Sequence, residues 1–205
     1  MEEIKEIFES EVLRYFDDGG DDHLRYNYNL DKNSIVFDLG GYKGDFSYII
    51  NKKYGCNTFL FEPFDEYMME CRDRFIDNHK ILLLNYGVKK CTEKIRIYVD
   101  GDGTSVHKST AVSCLIDMKS LSESMNELDV NHIDLIKINI EGDEYDVLET
   151  AINDNIINKI SNIQVQFHPW FDDCKERREK ITKELEKTHD LQWRYNWVWE
   201  SWKIK

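Results

Sequence analysis

The 205-residue sequence predicts an α/β fold with a doubly wound, mainly parallel β-sheet and helices on both faces. Three observations carry this prediction. Short apolar runs of strand length alternate with segments of helical periodicity. The first of these runs, over 34–38, is almost wholly apolar, which is typical of a strand covered on both faces. Polar or glycine-rich turns follow the runs directly. Because ligands bind at the carboxyl ends of strands in open sheets of this type, these turns are the first places to look for a site.

The first part of the chain contains three strand predictions. Apolar residues at helical spacing from Ile4 to Phe16 predict an opening helix that stops at Gly19-Gly20. The elements predicted after it are a strand over 34–38, a helix from Asp45, a strand over 58–61, a helix with a buried face over 64–75 and a strand over 81–84.

The second part differs because it begins with alternating residues. The alternation over 94–99, a glycine-rich turn at 100–104 and an extended stretch at 112–116 predict an inserted pair of strands. Strands over 133–140 and 163–169 follow, each with a helix after it, and the tryptophan-rich tail from 191 to 204 predicts the last strands. We expect its tryptophans to pack in the core, and a sugar-stacking platform is the alternative.

Composition limits the partners and the compartment. The 27 basic and 40 acidic residues give a net charge of −13, which repels nucleic acid and anionic membranes. The five cysteines form no CxxC pair, so neither a zinc site nor a disulfide framework is expected. No apolar run has the length of a membrane helix, and the first residues lack the layout of a signal peptide. We therefore expect a cytoplasmic protein with no nucleic-acid and no membrane partner.

The turn after the first strand reads D-x-G-G-x-x-G, from Asp38 to Gly44. Glycines allow a sharp turn and a close backbone approach to a ligand. The spacing differs from the G-x-G-x-x-G of dinucleotide sites. The carboxylate of Asp38 would repel a phosphate but can accept from an ammonium, directly or through water. A glycine turn with no ligand is the alternative interpretation.

A second acidic residue, Glu62, closes the next strand before Pro63. A carboxylate about 20 residues after a glycine loop is placed to accept hydrogen bonds from two ribose hydroxyls. The alternative is an exposed carboxylate that stabilises a helix start. Together the two motifs predict a nucleoside ligand with little phosphate, and S-adenosylmethionine is the candidate cofactor.

The third motif runs from Asp134 to Glu144 and makes a family resemblance specific. The chain resembles the FkbM-type methyltransferases, which show K-x-D-x-E-G-x-E at a strand end and then a helix that begins V-L. Here Lys137, Glu141, Gly142 and Glu144 match, and Asn139 replaces the family's aspartate. The resemblance covers residues 34–170. It implies a Rossmann-like class I methyltransferase sheet in a single domain over 1–205, with an N-terminal helical segment at 1–30 and a catalytic core at 34–205.

The resemblance also implies roles for individual residues. Glu62 holds the ribose, and Asn139 and Glu141 lie near the sulfonium and the acceptor. The implied residues at the methionine end are Asp38, Gly40, Gly41, Tyr42 and Gly44, and those at the adenine are Asn85 and Tyr86. Asn139 cannot act as a base, and an amide in place of a carboxylate weakens any metal proposal, so no metal is expected.

An alcohol becomes a good nucleophile only when its proton leaves, so a base is expected. His168 is the first candidate and Glu141 the second, and a partly buried structural histidine is the alternative for His168. Ser105, His107 and Trp170 are the candidate acceptor contacts. The resulting hypothesis is an S-adenosylmethionine-dependent O-methyltransferase that acts on a small molecule or glycan, with a sugar hydroxyl implied by resemblance. The alternatives are an RNA or protein methyltransferase on the same fold and a non-catalytic nucleoside-binding protein.

Overall fold

A computed structural model describes residues 2–98 and 113–205 of the chain. The helices are α1 (Glu2–Asp17), α2 (Asp45–Tyr54), α3 (Asp65–Arg74), α4 (Leu121–Glu127), α5 (Glu144–Asn153) and α6 (Cys174–Thr188). The strands are β1 (Ile35–Leu39), β2 (Asn57–Phe61), β3 (Ile81–Leu84), β4 (Gly87–Lys89), β5 (Glu93–Tyr98), β6 (Ser113–Ser120), β7 (Leu135–Ile138), β8 (Asn162–Val165), β9 (His189–Tyr195) and β10 (Trp199–Ile204). Two short 3-10 helices lie at Leu24–Tyr26 and Ile156–Lys159.

The main sheet has seven strands in the order β3-β2-β1-β7-β8-β10-β9. The first five of these strands are parallel, and β10 runs antiparallel to both β8 and β9. The chain continues from β1 to β2 and β3 on one side of β1, and β7 and β8 lie on the other side. A ligand is expected in the crevice between β1 and β7, where this strand order reverses as in other doubly wound sheets. The mainly parallel sheet predicted from the sequence is confirmed.

The insertion forms a second sheet of three strands in the order β4-β6-β5. The predicted pair is confirmed as the antiparallel pair of β5 and β6. The sequence missed β4, which pairs in parallel with β6 and is only three residues long. A run this short carries no periodicity of its own. The predicted turn at 100–104 lies outside the described residues.

The core lies on both faces of the central strands. In β1 and β7 the apolar side chains are almost fully buried, which explains their continuous apolar sequences. Trp197, Trp199 and Trp202 are buried, so the terminal tryptophans pack in the core as expected, with Trp193 partly buried against them. The N-terminal helix α1 packs on β9, where the rings of Tyr15 and Tyr195 meet edge to face.

The strand register aligns one edge of the sheet. A single row of paired residues crosses five strands: Leu84, Phe61, Leu39, Ile138 and Val165. The residues that follow them along this edge are therefore neighbours: Asn85, Glu62, Gly40, Asn139 and Gln166. This alignment brings the three motifs of the sequence to one place.

Two strands end earlier than the sequence predicted. Apolar residues recur in the runs at 133–140 and 163–169 as far as Ile140 and Phe167, but β7 ends at Ile138 and β8 at Val165. After β7 the chain turns sharply through Glu141 and Gly142, which have φ angles of 56° and 113°. Among the described residues, no helix combines the length and the apolar character needed to cross a membrane.

Candidate functional site

The glycine loop after β1 requires glycine at two positions for steric reasons. Gly40 and Gly44 have φ angles of 77° and 82°, in the left-handed region that other residues avoid. A Cβ at Gly40 would overlap the carbonyl oxygen of Asn139, and one at Gly44 would overlap the ring of Phe75. The loop therefore lies directly against the end of β7, and β1 and β7 form one continuous wall.

Asp38 lies beneath this loop, fully buried. Its Oδ2 accepts a hydrogen bond of 2.6 Å from Ser47 Oγ in the first turn of α2, and its Oδ1 is 2.9 Å from Lys137 Nζ. Both carboxylate oxygens are thus engaged inside the protein. The expected contribution of Asp38 to the methionine end stays a prediction, and this geometry makes it an indirect one.

Lys137 is a buried cation in the middle of an apolar strand. Its Nζ donates to the carbonyl oxygens of Leu39 and Gly40, at 3.2 and 2.7 Å, in addition to its ion pair with Asp38. Burial lowers the pKa of Lys137, and the neighbouring Asp38 opposes that effect. In the sequence, Lys137 is only one residue of the motif, with no role of its own. The role of Lys137 could have been suspected from the sequence, because it is a lysine in an otherwise apolar strand.

Glu62 is 6% exposed and binds two backbone amides. Its Oε2 accepts from Tyr42 N and its Oε1 from Phe64 N, each at 2.9 Å. Burial raises the pKa of Glu62 to about 7, although both amide bonds oppose the shift. Each carboxylate oxygen has a further lone pair, so the group can still accept hydrogen bonds from ribose hydroxyls. The accepting oxygens of Glu62 therefore fit the ribose hydroxyls of a nucleoside.

Asn85 and Tyr86 border a cavity of about 380 Å³ beside β3. The other walls come from the inserted sheet and the segment before it: Thr92, Glu93, Lys94, Asp117, Met118 and Lys119. Asn85 Nδ2 donates to Pro63 O at 3.3 Å, which ties it to the turn after Glu62. The Tyr86 ring meets Phe61 edge to face. The two residues expected at the adenine thus adjoin Glu62, and their role stays a prediction.

Glu144 and His168 form the second half of the site. Glu144 is fully buried at the start of α5, and its Oε1 lies 2.7 Å from His168 Nδ1. The same carboxylate accepts from Ile140 N at 2.8 Å and from Gly142 N at 2.9 Å. It therefore orients both the turn after β7 and the imidazole. Because a carboxylate only accepts hydrogen bonds, Nδ1 carries a proton, and in the neutral imidazole the lone pair is on Nε2.

Glu141 and Trp170 lie on either side of this imidazole. Glu141 Oε1 is 3.7 Å from His168 Nε2, which is too long for a direct hydrogen bond. The Trp170 ring stacks on the imidazole with 5.4 Å between centroids, and this side chain is 42% exposed. Gly142 permits the contact, because a Cβ there would come within 2.9 Å of the indole. Three of the predicted residues are thus brought together.

Asn139 connects the two halves of the site. Its backbone N–H donates to Leu39 O, beside the glycine loop, and its Nδ2 donates to Gln166 Oε1 at 3.1 Å, at the end of β8. Two other candidates, Ser105 and His107, lie outside the described residues. Across residues 2–98 and 113–205, no group of three or more His, Cys, Asp or Glu side chains is arranged to hold a metal ion.

Sequence reasoning missed Glu144 as an orienting residue. In the sequence, Glu144 is only the last residue of the motif. Its partner His168 follows 24 residues later, after another strand, so their contact is not visible there. The signal available in the sequence was a glutamate at the start of a predicted helix, three residues after another glutamate.

Comparisons with known proteins identify a family and similar folds. A family model described as "Methyltransferase FkbM domain" matches residues 38–190. A proposed methyltransferase from Streptococcus mutans, solved in complex with SAH, is 12% identical with a TM-score of 0.54, and the match covers 86% of this chain and 91% of that chain. An rRNA methylase from Streptococcus thermophilus is 14% identical with a TM-score of 0.50, covering 85% and 89%. A comparison with curated proteins found no match.

Proposed function

Because this chain belongs to the family of FkbM methyltransferases, we propose that it methylates a hydroxyl oxygen of a sugar or glycan. It has the Rossmann-like class I methyltransferase fold, and S-adenosylmethionine is its methyl donor. The choice of oxygen as the methylated atom, and of a sugar as the acceptor, is our proposal. The hydrogen bond between Glu144 and His168 carries the choice of oxygen, because it orients the imidazole of the candidate base at the edge where the site lies.

The donor supplies an electrophilic methyl group on a positively charged sulfur. His168 Nε2 accepts the proton of the acceptor hydroxyl while the oxygen forms its bond to the methyl carbon. The bond from carbon to sulfur breaks, and its electron pair stays on sulfur. Glu144 stabilises the imidazolium that results, since its carboxylate remains hydrogen-bonded to Nδ1. Glu141 is placed to accept a hydrogen bond from the acceptor or to stabilise the same imidazolium.

The first half of the site consists of the residues at the ends of β1, β2 and β3, and we propose that it binds the donor. We propose that Glu62 accepts hydrogen bonds from the ribose hydroxyls and that Asn85 and Tyr86 border the adenine. The residues proposed at the methionine end are Asp38, Gly40, Gly41, Tyr42 and Gly44, with Asn139 between this end and the acceptor. Methyl transfer depends mainly on positioning, so a preformed loop contributes directly to the rate.

The net charge of the chain and the exposed ring of Trp170 both support a small acceptor. The net charge of −13 opposes long-range attraction to RNA. The exposed ring of Trp170 offers an apolar surface beside His168 for one face of a sugar. An RNA acceptor is the second candidate, since the structural relatives include an rRNA methylase. A cytoplasmic location and a single domain over 1–205 stay predictions from the sequence.

Product analysis tests the proposal. The protein is first titrated with S-adenosylmethionine and S-adenosylhomocysteine by calorimetry. It is then incubated with methyl-labelled donor and nucleotide sugars, free glycans or transfer and ribosomal RNA. We expect label in the carbohydrate fraction and an O-methyl signal in the NMR spectrum of the product. Label in RNA alone, or on nitrogen or carbon, would overturn the proposed acceptor.

A further inference from the structure

We propose that Lys137 is a positioning residue for the methyl donor. Its buried ammonium fixes the peptide plane between Gly40 and Gly41, so that the glycine loop has its binding shape before the donor arrives. This inference rests on the proposed function, because it concerns the same site. It adds a role for a side chain that lies beneath the loop.

The register places Lys137 for this role. Lys137 of β7 pairs directly with Asp38 of β1, so the two side chains are neighbours across adjacent strands. From there the ammonium contacts three oxygens: Asp38 Oδ1 at 2.9 Å, Leu39 O at 3.2 Å and Gly40 O at 2.7 Å. Leu39 O and Gly40 O accept hydrogen bonds from Nζ, and Asp38 Oδ1 balances its charge as an ion pair without accepting a hydrogen bond, so the buried cation is held by the loop that it supports.

The 40–41 peptide is fixed from both sides. Its carbonyl oxygen, on Gly40, accepts from Lys137, and its N–H, on Gly41, donates to Phe61 O at 3.0 Å. The next peptide is also fixed from both sides, because Gly41 O accepts from Gly44 N and Tyr42 N donates to Glu62. A peptide between two glycines has little intrinsic preference of its own. Without the lysine, one of its two anchors is lost.

Lys137 also acts on Glu62 through its charge. The ammonium lowers the pKa of Glu62, whereas the carboxylate of Asp38 raises it. The other groups that face Glu62 are the amides of Tyr42 and Phe64, which lower its pKa, and the Cys71 thiol of α3, whose own pKa is raised by burial. When Glu62 is ionised, one ammonium and two carboxylates leave a single net negative charge, which suits a cationic sulfonium ligand. Loss of Lys137 therefore favours the protonated form of Glu62.

The experiment compares three variants with the wild type: Lys137→Met, the double variant Lys137→Met with Asp38→Asn, and Lys80→Met. The double variant removes the unpaired buried carboxylate that makes the single variant prone to unfold. Lys80→Met is the matched control, because Lys80 also donates to a backbone carbonyl, that of Lys32, but sits immediately before β3, at the opposite edge of the sheet. Two quantities are measured: amide hydrogen exchange at Gly40, Gly41 and Tyr42 without ligand, and the pH dependence of S-adenosylhomocysteine affinity.

We expect faster exchange at these amides in both Lys137 variants and wild-type exchange in the control. In Lys137→Met, the pH midpoint of affinity should rise by about half a unit or more, and the double variant should return toward the wild type. Wild-type exchange in any folded Lys137 variant overturns the proposal, whatever the midpoint. A wild-type protein that binds neither sulfur ligand contradicts the proposed function, while the exchange measurement still decides the role of Lys137.

Discussion

Glu144 Oε1 and His168 Nδ1 are 2.7 Å apart, although Glu144 begins α5 and His168 follows the end of β8. Tyr145 OH also donates to His168 O at 3.0 Å, so the helix that carries Glu144 holds both the ring and the backbone of the histidine. This double attachment fixes the direction of Nε2. Such an attachment suits the general base that we propose, and the kinetics of variants distinguish this role from that of a structural histidine.

Glu144→Gln should lower kcat by about 10- to 100-fold, because a glutamine offers one accepting oxygen where the carboxylate offers two. The imidazole then loses its fixed tautomer. Donor affinity should stay at the wild-type value, since Glu144 is not among the residues that we propose to contact the donor. The measurement is steady-state kinetics together with calorimetry. Glu149→Gln is the control on the same helix, where the carboxylate binds Arg177 instead. Equal kcat in both variants would remove Glu144 from the site.

His168→Ala should reduce turnover by about 100-fold or more, the range of general-base catalysis, while donor affinity stays nearly intact. The loss should be greater at low pH than at high pH, because hydroxide replaces the missing base in part. Single-turnover rates at several pH values measure this. Wild-type turnover would demote His168 to a structural residue.

Glu62→Ala should weaken donor binding by about 10-fold or more, since two charge-assisted hydrogen bonds to the ribose are lost. Calorimetry with S-adenosylhomocysteine measures the change. Glu66→Ala is the control, because Glu66 is an exposed carboxylate in the first turn of α3, the helix that follows Glu62. Equal affinities in these two variants would favour the view that Glu62 only stabilises a helix start.

The raised pKa of Glu62 makes a prediction about stability. Burial raises this pKa from 4.5 to about 7, so the folded state holds the proton more tightly than the unfolded chain. Its contribution to stability is therefore complete below pH 4.5 and is lost as the pH rises through 7. We expect the urea midpoint of the wild type to fall more than that of Glu62→Gln between pH 5.5 and 7.5. Parallel pH profiles of the two proteins would contradict the raised pKa.

Gly40→Ala should destabilise the protein by about 3 kcal/mol or more, because a left-handed φ and a backbone overlap act together. Gly55→Ala is the matched case. Gly55 has a φ of 65°, but a Cβ there would meet nothing closer than Lys32 at 3.9 Å, so only the strain of about 1 kcal/mol remains. Urea unfolding measures both. Equal losses would show that the contact between the loop and Asn139 can relax.

The sequence was most informative where local patterns decide structure. The glycine loop, Glu62 and the K-x-x-x-E-G-x-E motif were found because each lies within a few residues of a strand end. Predictions were weaker at boundaries, as at β7 and β8, where apolar residues recur beyond the last ladder pair. They failed for β4, since three residues gain their strand conformation only from pairing with β6.

The sequence by itself determined the α/β class, the succession of strands and helices, and most residues of the candidate site, because periodicity and turn chemistry are local properties of a chain. Only the tertiary structure decided which strands are neighbours and in what register. That register pairs Lys137 with Asp38 and brings Glu144 to His168. The physical reason is that a buried charge selects its partner through packing and desolvation, and neither quantity is defined until distant segments meet.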